Sequence, residues 1–298
     1  MMNQDRIDPA GDPGGRRRAM MAGLAAIALW GLLATLSVAA GPIPPFQMVA
    51  MTFTVGAFLG IVRARRRGLG WSELARWPAP VWMLGIGGLF GYHALYFAAL
   101  QLAPPAEANL INYLWPLLIV LLSAPLAGER LGWTHLAGAA LGFAGVALLA
   151  FGRGIDFASQ YAAGYALALG CAFAWSLYSV LSRRFGQTPT DAIAAFCAVS
   201  AVLALACHLV FESTVWPADA KAWLAVLALG VGPTGGAFYL WDHAVKHGDI
   251  RALGAASYAT PILSTALLIA CGLSPPTGAL LVAALLVAGG AALASRDL

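Results

Sequence analysis

Charge is scarce in this chain. Asp, Glu, Lys and Arg make up only 10% of its 298 residues, against about 25% in soluble domains, which excludes an ordinary water-facing surface. Cysteine is scarce too. Cys171, Cys197, Cys207 and Cys271 all fall in apolar runs without CxxC spacing, which excludes a disulfide framework and a cysteine metal site. Several catalytic signatures are missing: no GxxxxGK[ST] loop, no HExxH and no GxSxG, so P-loop hydrolysis, zinc proteolysis and serine-hydrolase chemistry have no carrier. Gly85–Gly88 and Gly289-Gly290 sit in apolar runs, where small residues serve close helix packing. No cofactor and no metal site is implied.

Apolar sequence is what is abundant. Hydrophobic residues are 60% of the chain and the mean hydropathy is +0.78. At about 20 residues per span, the pattern predicts an all-α membrane protein with ten transmembrane helices, near 19–40, 46–62, 80–101, 106–125, 134–151, 162–182, 190–211, 222–244, 251–271 and 278–295. Residues 1–18, polar and closing on Arg16-Arg17-Arg18, read as a disordered cytoplasmic tail. With the N-terminus inside, only Arg153 and Lys221 of the 17 Lys and Arg fall outside, so the positive-inside rule puts both termini in the cytoplasm. The net charge of +4 thus reflects topology and anionic lipid headgroups rather than nucleic acid. Short loops leave little to meet an obligate protein partner, which weakens a receptor or scaffold reading.

The chain also repeats. Shifted by 145 positions, Trp30 meets Trp175, Trp71 meets Trp216, Gly91 meets Gly236, Tyr113 meets Tyr258, Pro116 meets Pro261 and Gly145 meets Gly290. Two five-helix repeats, 19–152 and 162–295, follow. With an odd number of spans each, they are inverted relative to one another, the plan of an alternating-access transporter.

Chemistry concentrates in a few spans. Asn109, Asn112, Tyr113 and Pro116 share one face of the fourth span, and Ser257, Tyr258 and Pro261 share one face of the ninth. The two tyrosines lie roughly 11 Å in from their helix starts, approaching the midplane from opposite sides. Pro116 and Pro261 each remove a backbone hydrogen bond and are candidate hinges. Tyr92, His93 and Tyr96 mark the third span, Trp175, Tyr178 and Ser179 the sixth, and Tyr239 and Trp241 the eighth. With Trp30 and Trp115 they outline an aromatic-lined central cavity suited to flat, partly polar substrates. Glu107 and Asp242 are the membrane acids available for ion coupling, although both lie near helix ends. A satisfied histidine is as good a reading of His93 as a cavity-lining one.

Ten spans in two halves, mid-helix Pro116 and Pro261, and the Gly128-Glu129-Arg130-Leu131 turn before Gly138–Leu149 resemble the drug/metabolite transporter superfamily, EamA type. Tyr92-His93, Tyr96, Asn112-Tyr113-Leu114-Trp115-Pro116 and Trp175 resemble the bacterial aromatic amino acid exporters of that group. The second half carries Ser274-Pro275-Pro276 in place of the turn signature. The resemblance implies a multi-pass protein of the bacterial inner membrane that exports amino acids, aromatic ones foremost, and is no enzyme. The alternative is a proton-coupled exporter of cationic or aromatic drugs, since aromatic boxes also hold cations.

Overall fold

The computed structural model describes residues 13–151, 157–273, 275 and 278–294, and these contain helix and no strand. Eight helical spans are long and apolar enough to cross a membrane: α1 (Gly14–Ala40), α2 (Pro45–Arg66), α3 (Ala79–Leu102), α4 (Glu107–Ala127), then α6 (Ser159–Leu181), α7 (Thr190–Phe211), α8 (Ala220–His247) and α9 (Ile250–Ala270). The fifth and tenth expected spans are α5 (Trp133–Phe151) and α10 (Gly278–Ala294), whose apolar stretches are shorter. Large apolar side chains such as Phe58, Leu209, Phe211, Leu281 and Leu285 lie exposed along the spans, as suits a lipid solvent.

The first helix begins earlier than its hydropathy indicated. The helical turns start at Pro13, one residue ahead of the apolar span, so Arg16, Arg17 and Arg18 lie on its opening turns rather than in a tail. Proline at the first helical turn, with its fixed φ, favours a start there. Residues 1–12 of the expected tail, and Ser274 and Pro276, lie outside the described residues.

Packing follows the repeat. Helix α5 lies along α10 and α2 along α7, each against its counterpart; α1 packs on α8 and α9, while α6 packs on α3 and α4. Exchanging the two halves maps this pattern onto itself. One close approach joins α5 and α10, where a Cβ on Gly138 would strike the carbonyl oxygen of Gly290. Glycine is what allows the two backbones to touch.

Local irregularities repeat as well. A π turn interrupts α3 at Gly87–Gly91 and α8 at Gly232–Gly236, the same 145-residue spacing. Helices α4 and α9 each break once, at Tyr113-Leu114 and at Ser257-Tyr258. In α4 the turn tightens: Leu114 N–H reaches Ile111 O at 3.0 Å. In α9, Thr260 N–H reaches Ser257 O at 3.0 Å. Each break lies just upstream of Pro116 or Pro261, where a proline ring crowds the preceding turn.

Candidate functional site

At the centre, four tryptophans converge from four helices of both halves. Trp30 (α1) lies 6.2 Å from Trp115 (α4), 5.5 Å from Trp175 (α6) and 5.1 Å from Trp241 (α8), centroid to centroid. Trp115 meets Trp175 and Trp241 nearly edge-on at 6.4 and 6.0 Å. Edge-to-face contact matches the electropositive rim of one ring to the electron-rich face of the next. Two indole N–H groups are fixed: Trp30 donates to Pro233 O at 3.0 Å and Trp241 to Ser179 Oγ at 3.0 Å. Ser176 Oγ donates to Trp115 O at 2.9 Å, tying α6 to α4. In this conformation the expected central space is filled by the protein's own indoles.

A polar-aromatic layer from α3 and α4 lies beside this cluster. Tyr92 stacks on Tyr96 at 6.2 Å with planes 9° apart, and it also meets Trp175 at 5.8 Å. Asn112 donates to Tyr92 Oη at 3.0 Å, leaving its own buried Oδ1 without a partner. Tyr96 donates to Asn109 Oδ1 at 2.6 Å, and Asn109 donates to Pro105 O at 2.8 Å. His93 Nδ1 lies 2.7 Å from Leu89 O. A carbonyl only accepts, so this nitrogen carries the proton. The ring packs against Phe53 at 5.2 Å.

On the far side of the tryptophans is a buried polar knot. Asp242 accepts from Lys246 Nζ at 2.8 Å, Thr190 Oγ1 at 2.7 Å and Tyr178 Oη at 3.4 Å. Lys246 also donates to Thr188 O at 2.9 Å. Asp242, although within the last two turns of α8, is thus buried and fully engaged rather than an interfacial residue. Glu107 is buried near the start of α4, at the opposite end.

The remaining sequence-predicted residues lie elsewhere. Tyr239 donates to Gly56 O at 2.9 Å and fills the α2–α8 contact. Tyr258 packs against Gly142 and, at 6.4 Å, Phe143 of α5. Tyr113 belongs to the same apolar cluster. The two repeat-related tyrosines therefore share a cluster, but it is one that packs against α5 and α10. Ser257 Oγ donates to Leu253 O within its own helix at 2.7 Å.

Ion pairs bind the two halves together at the Arg/Lys-rich end. Arg183 reaches Glu129 at 2.9 Å and also donates to Val245 O and Gly248 O. Arg251 approaches Glu129 at 3.6 Å and Asp249 at 2.6 Å, Arg16 meets Asp249 at 3.1 Å, and Arg67 meets Asp191 at 3.1 Å. Burial alone would raise the Asp249 carboxyl pKa. The side-chain and backbone donors of Arg251, the Ala252 N–H and the Arg251 charge outweigh it and hold the group below its ordinary 3.8. At the opposite end a different clamp operates. Glu212 accepts from the N–H groups of Phe46 and Gln47 at 2.9 and 3.0 Å, capping α2 from the end of α7, while His208 Nδ1 holds Glu212 at 2.9 Å.

Comparison with known proteins places this geometry. The profile of the EamA-like transporter family matches residues 17–151 and again 162–296. The aromatic amino acid exporter YddG of Ancylobacter novellus is 53% identical over 282 residues, 94% of this chain and 98% of that protein. The aromatic amino acid exporter YddG of Salmonella typhimurium is 26% identical over 274 residues, 84% and 87% of the respective chains. A crystal structure 53% identical in sequence superposes with a TM-score of 0.89, covering 95% of this chain and 100% of the other. Matched in both of its repeats and aligned nearly end to end with these relatives, the chain belongs to the EamA-like transporter family.

Proposed function

We propose that the protein is an inner-membrane exporter of amino acids, aromatic ones and related small metabolites foremost, working by alternating access through the region between its two halves. Its relatives are aromatic amino acid exporters, which supports the substrate class. The observation that carries the mechanism is the meeting of Trp30, Trp115, Trp175 and Trp241, contributed by both halves. Ten spans, inverted repeats and cytoplasmic termini complete the reading, with the Arg/Lys-rich end inside.

On this reading the route is closed at the tryptophan cluster, the halves are tied together at the inner end, and the outer side is the accessible one. Ion pairs cross between the halves at the inner end. Toward the outer end, every residue from 91 to 98 of α3 keeps partial exposure, as suits a helix with lipid on one side and a recess on the other. Tyr92, His93, Tyr96, Asn109, Asn112, Trp115 and Trp175 line the route, and the breaks before Pro116 and Pro261 serve as hinges. Asp242, already matched by Lys246, is an anchor rather than a proton carrier, which favours facilitated diffusion over the proton-coupled drug exporter.

The test is uptake of radiolabelled phenylalanine, tryptophan, threonine and a cationic dye into proteoliposomes, with and without a pH gradient. Saturable amino acid flux indifferent to the gradient is expected, and Trp175→Ala and Tyr96→Ala should lower it without lowering membrane expression. Gradient-dependent dye flux with no amino acid flux would overturn the reading.

A further inference from the structure

The three helices that carry Trp115, Trp175 and Trp241 do not stay closed all the way to the basic end. Roughly one to four turns beyond the tryptophans, the ends of α4, α6 and α8 line an open, polar-walled recess of about 530 Å³, comparable in volume to small-molecule sites of roughly 300–1,000 Å³. Its wall joins the last turn of α4, Pro125–Gly128, to Arg183, Arg184 and Lys246, and it contains no acidic residue. Two of these cations are engaged: Arg183 by Glu129, Lys246 by Asp242. Arg184 is exposed and has no ion-pair partner among the described residues.

The α4 end that shares this lining has the opposite polarity. The last carbonyls of a helix have no donor within it, and a helix C-terminus carries partial negative charge. In α4 the N–H groups of Gly128 and Glu129 turn back to Ala124 O and Ser123 O. No donor among the described residues reaches the carbonyls of Pro125, Leu126 or Ala127. An anion alone would be repelled by that wall and a cation alone by Arg184. A zwitterion suits both.

We propose that this cavity is a loading vestibule that recognises the amino acid zwitterion on the cytoplasmic side. Arg184 takes the carboxylate, the terminal carbonyls of α4 take the ammonium, and the tryptophan cluster stands as the barrier beyond. The inference deepens the exporter reading and rests on it. It adds a recognition site for the backbone groups common to all amino acids, apart from the aromatic region that reads the side chain.

The experiment uses the full chain in inside-out vesicles, with Ala127→Cys as reporter and the exposed Cys271 replaced by Ala. The readout is the rate of labelling by a membrane-impermeant, sulfonate-bearing methanethiosulfonate. Phenylalanine should slow labelling about fivefold, whereas phenylalaninamide and phenylpropionate, each lacking one charge, should not. Arg184→Gln should abolish the protection and Arg184→Lys should retain most of it, with monodispersity of both variants checked by size exclusion. Phenylalanine flux is measured in the same vesicles. Flux without protection, or protection by all three compounds alike, would overturn the vestibule while leaving the exporter standing. Protection without flux would support the vestibule and sink the exporter. Labelling slowed by added phosphatidylethanolamine but not by phenylalanine would overturn the proposal in favour of a headgroup site.

Discussion

Gly87 and Gly88 are neighbours in one π turn, yet alanine should act in opposite directions at the two. A Cβ on Gly88 would press on the ring of Tyr178, 2.5 Å from its Cβ and 2.7 Å from its Cδ2. Carbon atoms rest at about 3.5–4.0 Å, so α3 and α6 must part by about 1 Å. Overpacking of that kind costs about 1–3 kcal/mol. The better helix propensity of alanine returns up to about 1 kcal/mol, so a mid-range cost of about 2 kcal/mol leaves a net loss of about 1–2 kcal/mol. At Gly87 no atom lies within 4 Å of the added carbon, so only the propensity gain remains. Gly88→Ala should therefore melt about 2–5 °C below wild type in detergent, and Gly87→Ala at or slightly above it. Tyr178 touches Trp175 at 5.3 Å and Asp242 at 3.4 Å, so Gly88→Ala should also lower phenylalanine uptake into proteoliposomes, while Gly87→Ala should not. A Gly88→Ala protein with wild-type melting and wild-type uptake would refute the reasoning.

Two further outcomes follow from the ends of the molecule. Glu212→Ala removes the carboxylate that caps α2 across the molecule and should cost about 1–2 kcal/mol, read as a lower melting temperature that Glu212→Gln partly restores. Asp249 has a depressed carboxyl pKa, so its contribution is fully present above the ordinary 3.8 and is lost as pH falls through the native value. The stability gap between wild type and Asp249→Asn should thus stay level from about pH 5 to 8 and shrink under stronger acid. A gap that closes between pH 8 and pH 5 would contradict the assignment.

Much of the architecture was legible because its markers are rare residues. Tryptophan, glycine and proline fixed the 145-residue offset, and the π turns at Gly87–Gly91 and Gly232–Gly236 obey it. Helical periodicity grouped residues onto faces but could not name the neighbour each face meets. Tyr258 shares a face with Pro261, yet it turns to α5, because the glycine at 142 opens a slot for its ring. Depth alone put Asp242 at a helix margin. The lysine four residues on was the available signal of a pair, and its consequence, a buried anchor with Thr190, needed the tertiary fold. Arg63 and Arg67, two of the cations that set the positive-inside count, also meet Asp191 across a separation no local pattern spans.

The cap on α2 has a consequence for how the chain is made. Phe46 N–H waits for Glu212, 166 positions downstream, and Gln47 for both Glu212 and Val215. A ribosome delivers α2 to the bilayer long before those residues exist, so interfacial water must satisfy its first turn in the interval. The second helix is thus inserted early and finished late, when the end of α7 arrives. Trp30 likewise waits for Pro233. Neither repeat can complete its own hydrogen bonds, and expressing the halves as separate polypeptides should yield a stable protein only when both are made together.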